Sequence, residues 1–209
     1  MLENVPSHEQ FLSDMKNHKM NVILDTDTHK HLSFSSGSFE HAFDVVAFPW
    51  HVMIVGDIGS YTFSRDSDMF RWFVKDSGKA ISRPEVELGR WRQKLVSVDS
   101  HLGVVEVSLS KVLAVINGVQ DNYIECYPEC ADCINDAFNE LLQFQEDGVG
   151  MLLHVMYLFT VELNGEGHAP FSDFEREEVE VYTPQFAMCC YAINFGIGMY
   201  LESKAQVGA

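Results

Sequence analysis

The chain has 209 residues, and its hydrophobic content of 46% with 12% aromatics excludes an intrinsically disordered protein. The formal net charge is −17, and it is unevenly distributed. Residues 98–209 hold 18 Asp and Glu against three Lys and Arg, whereas residues 1–97 hold 13 against 11. Because phosphate contacts need cations, the second half is not expected to bind nucleic acid directly. Its charge favours either a basic partner or a simply solubilising surface.

Residues 1–97 are predicted to form a mixed lobe of sheet and helix. Ser7 can cap a first helix over residues 8–17. Short segments rich in β-branched and aromatic residues, separated by turn residues, then predict strands at 20–24, 31–35, 43–48, 51–55 and 61–64. Residues 52–55 are all apolar, so the fourth strand is predicted to be central and covered on both faces.

Two further helices are predicted in this lobe. From Ser67 the spacing of apolar residues becomes helical, and one stripe comprises Met69, Phe70, Trp72 and Phe73. Another helix is predicted over residues 83–96, with Pro84 in its first turn. The basic cluster of this helix is either a small anion site or a solvated face, and it consists of Arg90, Arg92 and Lys94.

Residues 98–209 are predicted to be an acidic helical lobe. A short strand at 104–107 precedes helices over 108–119, 132–144 and 149–161, and Pro184 opens a terminal helix that ends near Ser203. No internal repeat or long linker separates the lobes. The predicted fold class is therefore α+β, with an N-terminal antiparallel β-meander and a C-terminal helical half packed on it in one domain.

The sequence contains neither an export signal nor a clear membrane span. The start, MLENVPSHEQF, lacks a basic region followed by an apolar one. The longest apolar runs, 149–161 and 186–201, are interrupted by His154 and Asn194. Five cysteines in such a chain favour free thiols in a reducing cytoplasm. We therefore expect a cytoplasmic protein without a membrane partner.

Three of the cysteines have the C-x3-C-x2-C spacing that holds an iron–sulfur cluster in radical S-adenosylmethionine enzymes, and they are Cys126, Cys130 and Cys133. The triplet opens a helix late in the chain, without the repeated strands and helices of those enzymes. A zinc site would need a fourth ligand, for which the candidates are His154, His168, Cys189 and Cys190. The remaining interpretation is a set of buried thiols at a helix start.

Other groups of reactive residues give weaker signals. His29 and His31, beside Asp25 and Asp27, predict either a weak metal site or a polar turn. A small-molecule pocket between sheet and helices would lie near Trp50, Trp72 and Trp91. The chain has no G-x-S-x-G, no phosphate loop, no dinucleotide glycine fingerprint and no H-E-x-x-H. We therefore expect neither an enzyme nor a cofactor.

The strongest candidate site is the acidic surface of the second half. Residues 171–180 alone hold five carboxylates and one arginine, and like charges so close repel one another unless a cationic partner relieves them. Carboxylates spaced along a surface can imitate the phosphates of a nucleic acid and occupy its binding groove. The predicted partner-binding residues are Glu162, Glu166, Asp173, Glu175, Glu177, Glu178 and Glu180, extended along a neighbouring helix by Glu125, Glu129, Asp132, Asp136 and Glu140.

One long stretch, FDVVAFPWHVMIVGDIGSYTFSRDSDMFRWF, contains F-D-x4-P, G-D-x-G-x-Y-x-F-x-R and D-M-F-x-x-F. Together with Y-A-I-x-x-G-I-x-x-Y near the C-terminus, it resembles a family of small accessory proteins of tailed bacteriophages and prophages. The resemblance covers about residues 8–95 and 186–202, and its motifs are packing motifs that carry no active site. It implies a phage gene product that acts inside an infected bacterium. The cysteine triplet is not part of the family pattern.

Resemblance and charge together predict a phage-encoded inhibitor of a host nucleic-acid-handling defence complex, of the CRISPR or restriction type, that acts by mimicry of nucleic acid. Its partner would be a basic surface of a host protein or ribonucleoprotein in the bacterial cytoplasm. Two alternatives stay open. One is a zinc or iron–sulfur enzyme or redox protein that uses Cys126, Cys130 and Cys133, and the other is a small-molecule-binding or structural phage protein. The abundant aromatic residues are also compatible with a homodimer.

Overall fold

A computed structural model describes residues 5–65, 70, 87–101 and 103–207. Its internal contacts divide the chain into two units. Unit 1 comprises Met1–Val104 and Tyr182–Ala209, and unit 2 comprises Val105–Val181. The terminal helix therefore belongs to unit 1, although its position in the sequence is in the second half. The helical, acidic part of the chain is an insertion of 77 residues between the sheet and this helix.

Unit 1 contains a six-stranded antiparallel sheet in which the strands are neighbours in chain order. The β-meander predicted from the sequence is confirmed, and so is the α+β class. The strands are β1 (Lys19–Asp25), β2 (Lys30–Ser35), β3 (Phe43–Phe48), β4 (His51–Gly56), β5 (Gly59–Ser64) and β6 (Leu95–Val98).

The sixth strand corrects the predicted helix over residues 83–96. The described part of that segment forms only a short helix, α2 (Leu88–Arg92), and then β6, which pairs with β5 through Tyr61 and Val98. Leu95, Val96 and Val98 are residues that suit a pleated strand, and the open edge of β5 offers them backbone partners. The helix predicted from Ser67 lies outside the described residues except for Phe70, which is buried.

One face of the sheet forms the core of unit 1. Burial alternates along β2 to β5, as a strand with one covered face requires. In β4, Val52 and Ile54 are fully buried whereas Val55 is 41% exposed. The prediction that this central strand is covered on both faces is therefore wrong. A run of four apolar residues did not distinguish an antiparallel strand with one open face from a strand buried on both sides.

Two helices of unit 1 pack on the buried face of the sheet. α1 (His8–Met15) begins where predicted, and the Ser7 side chain accepts a hydrogen bond from the Gln10 amide. The terminal helix, called α6 here (Pro184–Val207), approaches the sheet closely at Gly196. A Cβ atom at Gly196 would lie 2.9 Å from Cζ of Phe34, so only glycine fits there without displacing the ring.

Unit 2 is mainly helical, with its own buried core. Its helices are α3 (Leu109–Cys126), α4 (Ala131–Gln143) and α5 (Val149–Leu158), and 3₁₀ turns lie at Pro128–Cys130, Phe144–Asp147 and Arg176–Val179. The core includes Ile116, Phe138 and Met156, which are fully buried. Two short strands, β7 (Val105–Val107) and β10 (Glu180–Tyr182), pair with each other.

A hairpin in unit 2 was not predicted. β8 (Val161–Leu163) and β9 (Glu166–His168) are joined by Asn164 and Gly165, which have φ angles of 53° and 82°. An Asn-Gly pair at positive φ is the residue pair that a tight hairpin turn favours. The predicted helix over 149–161 accordingly ends at Leu158, and the strand pattern begins three residues later.

Candidate acidic interface

The negative charge is more concentrated in unit 2 than in the second half of the sequence as a whole. Unit 2 carries 16 Asp and Glu residues against Lys111 and Arg176, a net charge of −14. Unit 1 carries 15 acidic residues against 12 basic ones, a net charge of −3. Within unit 2, two cations can neutralise at most two of the carboxylates. Most of the negative charge of unit 2 has therefore no counter-charge in the same unit.

All of the predicted partner-binding carboxylates lie in unit 2. Eleven of these twelve carboxylates are solvent-exposed, namely Glu125, Glu129, Asp132, Asp136, Glu140, Glu162, Glu166, Asp173, Glu175, Glu177 and Glu178. The twelfth, Glu180, is half-buried, and its carboxylate lies 3.4 Å from Nε of Arg176. Glu180 is therefore a member of a structural ion pair rather than a free acceptor for a partner.

The clearest acidic stripe lies along α4. Asp132, Asp136 and Glu140 are spaced by four residues, which places them on one face of the helix, and all three are exposed. The opposite face carries Ile134, Phe138 and Leu141, which are buried in the core of unit 2. The apolar face thus fixes the orientation of α4, and the three carboxylates necessarily point to solvent.

The hairpin brings two predicted acidic groups together. The Asn164 side chain donates a hydrogen bond to the Glu129 carboxylate, with 3.5 Å between Nδ2 and Oε1. The Cys133 thiol lies 3.8 Å from the backbone oxygen of Glu162, which is in β8. Glu129, in the 3₁₀ turn before α4, and the exposed Glu162 of the hairpin therefore belong to one continuous region of unit 2.

Two residues of the predicted set also hold the local fold. Glu175 and Glu178 form a capping box around the 3₁₀ turn, in which the Glu175 amide donates to the Glu178 carboxylate at 3.1 Å. The Lys111 ammonium donates to the backbone oxygens of Glu178 and Glu180, at 3.4 and 2.9 Å. Substitution of Glu175 or Glu178 would therefore change the structure as well as the charge, whereas Glu177 is exposed outside the box.

The cysteine triplet is more open than the interpretation of buried thiols predicted. Cys126 and Cys133 are exposed and Cys130 is half-buried, and the Cys130 thiol lies 3.7 Å from Oδ1 of Asn164. Among the described residues, no group of three or more His, Cys, Asp or Glu side chains is arranged to hold a metal ion. Cys189 and Cys190, two of the suggested fourth ligands, are buried in the core of unit 1, where burial raises the pKa of both thiols.

The weaker candidates of unit 1 are separated by the structure. Asp25 accepts a hydrogen bond from Tyr200, and His31 pairs instead with Asp44 at 2.7 Å, so the predicted His and Asp group does not converge. Trp50 is 56% exposed whereas Trp91 is buried against Phe63. Trp72 lies outside the described residues. The basic Arg90 and Arg92 are exposed on the short helix α2.

Among the described residues, no helix is long and apolar enough to cross a membrane. Comparison of the chain with protein-family models, with curated proteins and with solved structures finds no match. The resemblance to phage accessory proteins therefore stays a prediction based on the motifs of the sequence.

Proposed function

We propose that this protein is a phage-encoded inhibitor that binds a basic surface of a host nucleic-acid-handling defence complex in the bacterial cytoplasm. Unit 2 is the binding unit, and its carboxylates occupy the cationic site that otherwise holds nucleic-acid phosphates. The protein acts as a competitor and has no catalytic role. Defence complexes of the CRISPR or restriction type are the natural targets, because each must hold a nucleic acid in a positively charged channel.

The observation that supports this proposal is the net charge of −14 on the 77 residues of unit 2. Such a charge opposes folding by self-repulsion, and a cationic partner relieves that repulsion. The stripe on α4 illustrates the spacing: successive carboxylates rise about 6 Å along the helix axis, roughly half the charge density of one DNA strand. Additional carboxylates from the hairpin and the 171–180 segment raise the density of the surface as a whole.

The first experiment is capture of host proteins by the immobilised chain at about 0.05 M and about 0.5 M salt. Binding by charge requires that the partner is retained at low salt and released at high salt. A neutralised variant of unit 2, Asp136→Asn with Glu140→Gln and Glu177→Gln, removes three exposed charges outside the capping box. We expect it to retain the partner weakly even at low salt.

A matched control removes three exposed carboxylates of unit 1 by Asp14→Asn, Asp27→Asn and Glu40→Gln. This control changes the total charge by the same amount, so it should retain the partner as the wild-type chain does. Equal loss of binding in both variants would mean that only total charge matters. Capture that is insensitive to salt would count against mimicry of nucleic acid.

A cellular experiment tests the inhibition itself. The chain is expressed in bacteria that carry a CRISPR or restriction system, and the plating efficiency of a targeted phage is measured. We expect the wild-type chain and the unit 1 control to restore plating, and the neutralised variant of unit 2 to restore it poorly. Full restoration by the neutralised variant would place the inhibitory surface elsewhere.

A further inference from the structure

The exposed face of α5 carries large apolar side chains, although it belongs to the acidic unit. Met151 is 46% exposed and Leu158 is 68% exposed, although both are hydrophobic. With the exposed His154 they lie at helical spacings of three and four residues, so they share one face of the helix. The opposite face holds Leu152, Leu153 and Met156 in the core.

This arrangement matches the way in which an amphipathic helix is recognised. Met151 and Leu158, at positions i and i+7, are apolar anchors on one line of the helix, with His154 between them at i+3, and such a line fits the apolar stripe of a partner helix. Methionine adapts its shape easily and is common on surfaces that bind such helices. Single exposed hydrophobic residues need no explanation, but a line of them along one helix is a surface that a partner can cover.

Carboxylates lie at both ends of this apolar line. Glu146 and Asp147 are exposed in the 3₁₀ turn that directly precedes α5. At the other end, the Tyr157 ring lies 5.5 Å from the Phe174 ring, and the neighbours of Phe174 in sequence are the exposed Asp173 and Glu175. A segment lying along α5 would therefore meet negative charge at each of its ends.

We propose that the exposed face of α5, Met151, His154 and Leu158, is the docking site for a basic amphipathic helical segment of the partner protein. This inference rests on the proposed function, and it specifies the chemistry of the partner: apolar residues on one stripe and Lys or Arg beside it. Charge complementarity selects this occupant over a second copy of the chain, because two units of net charge −14 repel each other.

The test uses two synthetic peptides of about 14 residues, made only of Leu and Lys in equal composition. In the amphipathic peptide the Leu residues follow the helical period, and in the scrambled peptide they do not. Binding to the full chain is measured by fluorescence anisotropy at about 0.15 M salt. We expect the amphipathic peptide to bind about tenfold more tightly, because only it can place Leu side chains on Met151 and Leu158.

The double variant Met151→Ser with Leu158→Ser should lose this preference and bind both peptides alike, since its charge is unchanged. The control Leu201→Ser removes an exposed apolar residue, 37% exposed, from unit 1 and should keep the preference. Circular dichroism of each variant checks that the helices remain folded. Equal binding of both peptides to the wild-type chain would overturn the docking site and leave the proposed function intact.

Two further outcomes are informative. If neither peptide binds even at about 0.05 M salt, both the docking site and the acidic interface are contradicted. If sedimentation shows that the wild-type chain dimerises and that the double variant does not, the face of α5 is a contact between copies, and the proposed occupant is wrong.

Discussion

The two units have similar hydrophobic cores but differ in the charge of their surfaces. Each has a continuous core of fully buried aromatic and aliphatic side chains, such as Phe34 and Phe63 in unit 1 and Phe138 and Ile116 in unit 2. Their net charges, however, are −3 on unit 1 and −14 on unit 2. Since cores determine the fold, the excess of carboxylates on unit 2 is not needed for folding and is the better guide to function.

The units also use their cations differently. In unit 1, the ammonium groups of Lys204 and Lys30 lie 2.5 and 4.0 Å from the Asp25 carboxylate, so a carboxylate is neutralised by the same unit. In unit 2, Arg176 pairs with Glu180, whereas Lys111 donates to the backbone oxygens of Glu178 and Glu180. Unit 2 is therefore left negative mainly by the small number of its cations, and one of the two is held by backbone oxygens.

The largest effect is expected in the core of unit 2, which is a hydrophobic cluster of its own. Phe138 is fully buried, with its ring 5.0 Å from that of Phe159. Phe138→Ala should lower the free energy of unfolding by about 3–5 kcal/mol, because it leaves a cavity. Amide hydrogen exchange of α3 and α4 measures this. The control Phe144→Ala, at an exposed position, should change exchange little, and equal effects would mean that unit 2 lacks a specific core.

One glycine substitution in each unit compares how closely a helix packs within its own unit. Gly196→Ala in α6 places a methyl group against Phe34, which is fully buried and stacked on Phe43. It should destabilise unit 1 by about 1–3 kcal/mol. Gly118→Ala in α3 meets no atom within 4 Å and should stabilise unit 2 by up to about 1 kcal/mol.

Urea unfolding followed by tryptophan fluorescence reports on unit 1, because Trp50, Trp72 and Trp91 all lie in it. Hydrogen exchange within α3 reports on the Gly118 variant. Stabilisation by both substitutions would contradict the close approach of α6 to the sheet.

Two substitutions in unit 2 test whether Lys111 stabilises the fold through its hydrogen bonds or only through its charge. Lys111→Met removes two charge-assisted hydrogen bonds to backbone oxygens and should destabilise unit 2 by about 1–2 kcal/mol. Arg176→Met removes the same unit of charge from an ion pair in which the arginine side chain is exposed, and it should cost less than about 1 kcal/mol. Hydrogen exchange of residues near the 3₁₀ turn compares the two variants. Equal losses would show that net charge alone determines the stability of unit 2.

The smallest effect concerns Asp25 and has a defined pH dependence. The hydrogen bond from Lys204, with further contributions from Tyr200 and Lys30, holds the pKa of Asp25 below its ordinary value of 3.8. A carboxyl with a lowered pKa in the folded state stabilises the fold above its ordinary pKa, and this contribution is lost as the pH falls through the folded value.

Asp25→Asn should therefore lower the stability of unit 1 by up to about 1 kcal/mol at neutral pH and by nothing once the pH is well below the folded pKa. Urea midpoints from tryptophan fluorescence measure the difference at several pH values. Asp27→Asn, an exposed carboxylate in the same turn, is the control and should show no such loss. A difference that persists in strong acid would contradict the assigned ion pair.

The part of the fold that follows from local patterns could be predicted from the sequence. Strands β2 to β5 alternate in burial, and Ser7 caps α1, and both features depend on residues close together in the chain. β6 was missed because its strand character depends on pairing with β5, whose residues lie 32 to 37 positions earlier in the chain. The Asn164-Gly165 turn is a local hairpin signal, but the apolar run before it was predicted to be helical up to residue 161 and the hairpin was missed.

The candidate site was predicted in composition but not in arrangement. The sequence locates the carboxylates in the second half, and the helical period explains why Asp132, Asp136 and Glu140 share the exposed face of α4. It could not show that Glu175 and Glu178 cap a turn, because that depends on backbone geometry. The apolar face of α5 was missed for a related reason: residues 149–158 are apolar almost throughout, so their pattern does not show which side is buried.

The most direct test of binding through the carboxylates of unit 2 is the salt dependence of affinity for the host protein that the wild-type chain retains most strongly at low salt. The dissociation constant is measured over about 0.05–0.5 M salt for the wild-type chain, the neutralised variant of unit 2 and the matched control of unit 1. We predict a steep decrease in affinity with salt for the wild-type chain and the control, and a clearly shallower one for the unit 2 variant. Identical slopes for all three chains, or the retention of no host protein at low salt, would contradict the account.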